Sequence, residues 1–216
     1  MNRPSPAALQ PRKTPRQARS AATVEAIHTA TIQVLLAVGV SRLTTTQVAE
    51  RAGVSVGTLY QYFPHKQALL FALVERQFAL IEGAMAEATA RLTGQDLPTI
   101  AEGLSQAWLD AKMADIVASR AIYGIAAEFD LSEQMSRASA GMTRMFADLL
   151  DSAPGSHFPD RDAVAFMLAA LLGGSARVVM ESSLDAGDGL ARLRRELPRA
   201  CHAYMAAADR GVAAAA

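Results

Sequence analysis

The sequence predicts an all-α fold, with an N-terminal three-helix domain holding a helix-turn-helix and a larger helical domain after it. Ala dominates a chain of 216 residues that is 51% hydrophobic and 19% charged, a composition that favours helices. Apolar residues recur at helical spacing along most of the chain, and no Asn-Gly or Asp-Gly pair joins two alternating, β-branched runs. Gly39, Gly53 and Pro64 punctuate the first third at intervals suited to short helices. The expected organisation is a basic, disordered arm over residues 1–19, a helix-turn-helix domain over 20–66 and a helical domain over 67–210.

The first helix is expected from about Ser20 to Val38, where Val24, Ile27, Thr31, Val34, Leu35 and Val38 share one face and Gly39 ends the run. Thr44-Thr45-Thr46-Gln47 is a capping-box pattern, with Thr44 as N-cap of a short helix from Thr45 to Ala52. Gly53 stops it, Ser55 caps a second short helix from Val56 to Phe63, and Pro64 prevents its continuation. Leu43, Val48, Ala52, Val54, Leu59 and Phe63 are the side chains available to bury between them. Two short helices across a tight turn, braced by a longer one, make a helix-turn-helix. Further helices are expected over 66–92, 98–117, 119–129, 132–151, 161–182 and 189–208, with a surface loop from Asp151 to Asp160 and a turn at Gly187 to Gly189.

Charge is distributed unevenly. Residues 1–66 carry eight basic groups against two acidic ones, a balance of +6, and the remainder carries −6. A basic head on an acidic body points to a polyanionic partner at one end. Cys201 is the only cysteine, so there is no internal disulfide and no thiolate metal cage. The longest apolar run, Ala163 to Ala176, has 14 residues, short of the ~20 needed to cross a bilayer. Pro4, Pro6, Pro11 and Pro15 argue against a targeting helix at the N-terminus. No membrane partner, cofactor or metal is expected.

Residues 43–66, from Leu43 through Gly57-Thr58-Leu59-Tyr60 and Tyr62-Phe63-Pro64 to Lys66, resemble the helix-turn-helix of the tetracycline-repressor (TetR/AcrR) family. The resemblance covers about residues 20 to 70; beyond residue 75 it is architectural. It implies a cytoplasmic, homodimeric regulator of transcription that binds double-stranded operator DNA, pairs through its last two helices and responds to a small-molecule effector. It places Thr45, Thr46, Val56, Gly57, Thr58, Tyr60, Tyr62 and Lys66 at DNA-contact positions.

The residues themselves support part of that assignment. Gly57 removes a side chain where backbone must approach phosphate, or simply eases the start of the helix. Thr45 and Thr58 put hydroxyls near helix N-termini. Tyr60 adjoins Leu59, a core position, so its ring should face outward. Tyr62 faces either DNA or the core, and Gln61 reaches a base edge or is solvated. Lys66 stands at the start of the next helix, where an ammonium would meet a phosphate. Val56 and Gly57 offer few polar groups, so base readout would fall to Thr46, Tyr60 and Gln61.

Trp108, Tyr123, Phe129, Met142 and Phe146 are the candidates for lining an effector site, with ordinary core as the competing role. Arg120 and Arg177 are possible partners for an anionic group. Gly173, Gly174, Ser175 and Ala176 permit close helix packing, across a twofold or inside one subunit. The string Gly53-Val54-Ser55-Val56-Gly57 matches the hydrolase nucleophile elbow, but no strand precedes it. Asp151, Ser156, His157 and Asp160 mix triad residue types on a polar loop, and the four histidines share no ligand spacing. Catalysis is therefore not expected. The competing reading is a DNA-binding structural or division-linked factor without an effector; a hydrolase comes far behind it.

Overall fold

The computed structural model describes residues 18–181 and 186–210. The described residues are helical, with no strand: α1 Ala18–Arg42, α2 Thr45–Ala52, α3 Val56–Tyr62, α4 Lys66–Leu92, α5 Leu97–Met113, α6 Ile116–Glu128, α7 Ser132–Asp151, α8 Arg161–Glu181 and α9 Ala186–Ala208. Most of the basic arm, residues 1–17, lies outside the described residues, and α1 begins at Ala18.

The chain divides into two compact units. The first runs to Gln77 and includes Val117–Asp130; the second holds Phe78–Ile116 and the chain from Leu131 onward. The first unit thus continues past the boundary expected at residue 66. The early turns of α4 carry Ala68, Leu69, Leu70, Leu73 and Val74 into burial, and Arg76 pairs with Glu25 of α1 at 2.6 Å.

In the first unit α1 packs on α2, and α2 on α3. Ile27, Leu35, Leu43, Val48, Leu59 and Phe63 are buried at their contact, while Ala52 and Val54 are half-buried. His28 of α1 is buried too, its ring 5.6 Å from that of Phe63, and neither ring nitrogen has a hydrogen-bond partner among the described residues. Burial, with the Arg76 guanidinium adding to it, lowers the His28 pKa to about 4. The unfolded chain takes up this proton near pH 6.5, whereas the folded chain resists it until about pH 4. His28 should therefore withdraw stability as pH falls from about 6.5 towards 4, by up to roughly 3 kcal/mol. Urea midpoints of the protein and of His28→Leu should diverge over that range, with the histidine form losing more; parallel pH profiles would refute this.

In the second unit α5 packs on α9, and α8 on both α7 and α9. Arg194 of α9 fastens the rim of the first contact, donating to Gln106 Oε1 and Asp110 Oδ1, each at 2.6 Å. Gly187–Gly189, expected as a turn, lies instead in the first turns of α9. A Cβ at Gly189 would sit 2.9 Å from Val179 Cγ1, so the glycine serves a close approach to α8. The polar residues of the 151–160 loop have structural partners. Arg161 pairs with Asp151, Asp160 accepts from Ala163 N–H at 3.1 Å, and His157 N–H donates to Asp209 at 2.8 Å.

Two stretches, Ser20–Arg42 and Arg161–Val179, are long and apolar enough for a membrane span by length and composition alone, a test that core helices also pass. The first is α1, packed on α2, and the second is most of α8, packed on α7 and α9.

Candidate nucleic-acid interface

Local sequence fixes the reading head. Gly39 leaves helical geometry at φ 77° and ψ 168°, kinking the end of α1 before Leu43 enters the core. Thr44 then caps α2 reciprocally. Its hydroxyl accepts from Gln47 N–H at 3.2 Å, and its own N–H donates to Gln47 Oε1 at 2.9 Å. Gly53 adopts the left-handed conformation, φ 68° and ψ 29°, so Val54 N–H can reach back to the Ala49 carbonyl at 3.0 Å. Ser55 accepts from Thr58 N–H at 3.0 Å to start α3. Phe63 is extended, as a residue before proline should be, and α3 stops. Ser55 is thus a helix cap, not an elbow nucleophile.

Each DNA-contact candidate can now be placed. Thr46, Gly57, Tyr60 and Gln61 are exposed; Thr45, Val56, Thr58, Tyr62 and Lys66 are partly exposed; none is buried. Leu59 is fully buried while Tyr60 is 42% exposed, so the tyrosine faces outward as its position suggests. The Tyr60 and Thr45 hydroxyls are 3.0 Å apart, joining α3 to the first residue of α2. That pair uses one hydroxyl hydrogen and leaves the other to donate outward, alongside free lone pairs. Tyr62 lies between its two alternatives, half-buried with its ring 6.4 Å from that of Phe63.

Two candidates have internal partners. The Thr58 hydroxyl is 2.8 Å from Ser55 Oγ, within the cap of α3. The Lys66 ammonium donates to the carbonyls of Val40 and Ser41, so it ties the start of α4 to the end of α1. Arg42 donates to the Val38 carbonyl at 2.9 Å, and Arg51 to Gln33 Oε1 at 2.6 Å. Five of the eight basic groups of the first 66 residues belong to the arm.

The effector candidates fall in both units. Trp108, Met142 and Phe146 are buried in the second; Tyr123 and Phe129 are half-buried in the first. Arg120 and Arg177 are exposed. Sequence reasoning missed Lys112, which is 8% exposed with its ammonium 5.1 Å from the centre of the Trp108 ring. A lysine in the last turn of a helix ordinarily reads as solvated, and only tertiary packing reveals otherwise.

Residues 27–73 match the model of bacterial regulatory proteins of the tetR family. Residues 96–205 match that of a tetracyclin repressor-like C-terminal domain. The chain belongs to the TetR family. This TetR-family chain is accordingly a DNA-binding regulator of transcription, from a family whose members are generally not enzymes. Its fold is similar to that of a TetR-family transcriptional regulator from Mesorhizobium loti, at 20% identity and a TM-score of 0.66, covering 88% of this chain and 98% of that one. It is also similar to SmeT, the repressor of the Stenotrophomonas maltophilia multidrug efflux pump SmeDEF, at 19% identity and a TM-score of 0.65, covering 88% and 93%. A SmeT–triclosan complex matches at 22% identity and a TM-score of 0.64, covering 86% and 91%. No curated protein matches this regulator in sequence.

Proposed function

We propose that this chain is a cytoplasmic, homodimeric repressor whose two heads read operator DNA and whose second unit binds a small lipophilic effector that releases it. The observation that carries the DNA reading is the hydroxyl-rich face that exposed Thr46, Tyr60 and Gln61 and partly exposed Thr45 present across α2 and α3. Tyr60 and Thr45 contact the duplex as one unit, Thr46 and Gln61 address base edges, and Gly57 with Val56 lets the α3 backbone approach. Thr58 and Lys66 act mainly by holding the head in shape, given their internal partners.

Dimerisation is supported by α8. Phe166, Ala170, Gly174 and Val178 recur every four residues and are all exposed, Phe166 by 56% and Val178 by 68%. An apolar helix stripe facing water is what a second copy would cover, and a twofold pairing with α9 makes a four-helix bundle. Two heads on one duplex face need a separation of roughly 34–36 Å, and an effector that prefers another separation withdraws them. The fold relative solved with triclosan supports an effector of lipophilic character.

Sequencing of genomic fragments retained by the purified protein tests the proposal. A two-part, inverted-repeat site should be enriched, and its affinity should fall steeply with salt. Removing residues 1–19 should flatten the log–log salt slope by ~0.9 for each phosphate that the arm neutralises. Retention without any enriched sequence would overturn the repressor reading.

A further inference from the structure

His28 is a polar side chain set in the apolar core of the reading head. It is 6% exposed, with Ile27 and Thr31 of the same helix fully buried beside it. Its ring lies 5.6 Å from that of Phe63, the residue that ends α3 and anchors it in the core. A neutral imidazole has one N–H donor and one lone pair, and both nitrogens of His28 lack a hydrogen-bond partner among the described residues. Burying such a group unmet already costs free energy, and the closed head has still less to offer a charged ring.

The charges around the ring sharpen this. Arg76 of α4 is the charged side chain that acts on the imidazole among the described residues, and it opposes a second cation. Glu25, one turn before His28 on α1, is taken by Arg76 at 2.6 Å. Arg42 of α1, Glu50 and Arg51 of α2, Glu75 of α4, and Arg120 and Glu128 of α6 are exposed, and α3 has no carboxylate or cation. Lys66 is held by the Val40 and Ser41 carbonyls, and His65 Nδ1 accepts from Ala68 N–H. A protonated His28 thus holds two unmet donors beside a like charge until the head opens to water.

Resting on the reading of α3 as part of the DNA face, we propose that His28 is an acid-operated latch: its protonation parts Phe63, and α3 with it, from α1, and so releases operator DNA while the second unit stays folded. α3 has seven residues, too few to persist without tertiary packing. It depends on the burial of Leu59 and Phe63, and Phe63 N–H closes its last turn on the Leu59 carbonyl at 2.9 Å. Tyr60, in that turn, leaves Thr45 when Phe63 leaves the core. The open head takes up the proton near pH 6.5 and the closed head only near pH 4, so acid favours opening. The ratio of open to closed heads should rise ~10-fold or more between about pH 7.5 and about pH 5. In the second unit His157 is exposed and His202 half-buried, so neither is sealed from water as His28 is.

Amide hydrogen exchange of the full-length protein, corrected for the intrinsic pH dependence of exchange, reads both units at once. Protection in α1 to α3 should fall ~10-fold or more from about pH 7.5 to about pH 5, with far less change in the second unit. His28→Leu should remove that fall, and so should His28→Gln, which stays polar and takes up no proton in this range. Affinity for a retained operator fragment, measured at constant ionic strength, should weaken on the same acidification by ~3-fold or more beyond the loss seen in His28→Leu. Equal loss of protection in both units, or a fall that persists in a folded His28→Leu or His28→Gln protein, would overturn the latch. The comparison of units in the wild type needs no variant, so a misfolded variant leaves the proposal testable. Operator affinity that falls equally in wild type and His28→Leu would overturn the release from DNA, and Tyr60→Ala tells separately whether α3 reads DNA.

Discussion

Tyr60→Ala is expected to abolish specific operator binding while leaving the fold and the proposed dimer intact. The ring is 42% exposed beside a fully buried Leu59, so its removal opens no cavity, and exposed substitutions usually move stability by under ~0.5 kcal/mol. The substitution removes one hydrogen bond between α2 and α3, that of the Tyr60 hydroxyl with the Thr45 hydroxyl at 3.0 Å. One good base-edge interaction is worth ~1–3 kcal/mol per head, so a two-headed protein should lose roughly 2–6 kcal/mol of binding free energy. Tyr60→Phe separates ring from hydroxyl and should recover part of the loss. If the hydroxyls act as a unit, Thr45→Ala combined with Tyr60→Phe should cost less than the two single changes added together. Fluorescence anisotropy of labelled operator decides this. Wild-type affinity in Tyr60→Ala would show that the reading face lies elsewhere.

Features set by neighbours in sequence were legible in the residues. The Thr44–Gln47 capping box, the left-handed Gly53, the Ser55 cap and the halt at Pro64 each depend on a few consecutive positions, and each appears where the residue types place it. Tyr60 faces outward because Leu59 is core, an inference that needs only helical geometry. Features set by distant partners were not legible. Nothing near Lys66 in sequence says that its ammonium will meet carbonyls at residues 40 and 41. Nothing near Thr45 says that Tyr60 will lie against it. Periodicity marked the start of α4 correctly but could not say that its early turns would join the first unit. Gly189 misled for a related reason. Glycine signals either a turn or a close approach, and only the position of Val179 tells which.

Gly174→Leu tests the proposed dimer, because its effects on chain and assembly should have opposite signs. Among the described residues a Cβ at Gly174 or Gly173 would meet nothing within 4 Å, so their packing inside one subunit does not account for these glycines. Leucine is the better helix former, and the substitution should stabilise α8 in a lone chain by up to ~1 kcal/mol. In a twofold pairing the same surface serves both copies, so each interface would receive two leucines where the backbones approach. Overpacking of that kind costs ~1–3 kcal/mol for each intruding side chain, or roughly 2–6 kcal/mol per dimer. Sedimentation over a range of concentrations should then show monomer on dilution, and operator affinity should fall because a single head grips only half of the site. Thermal unfolding of the monomeric fraction should reveal no loss of helix. A Gly174→Leu protein that stays dimeric at every concentration and binds operator normally would place the α8 stripe outside the interface.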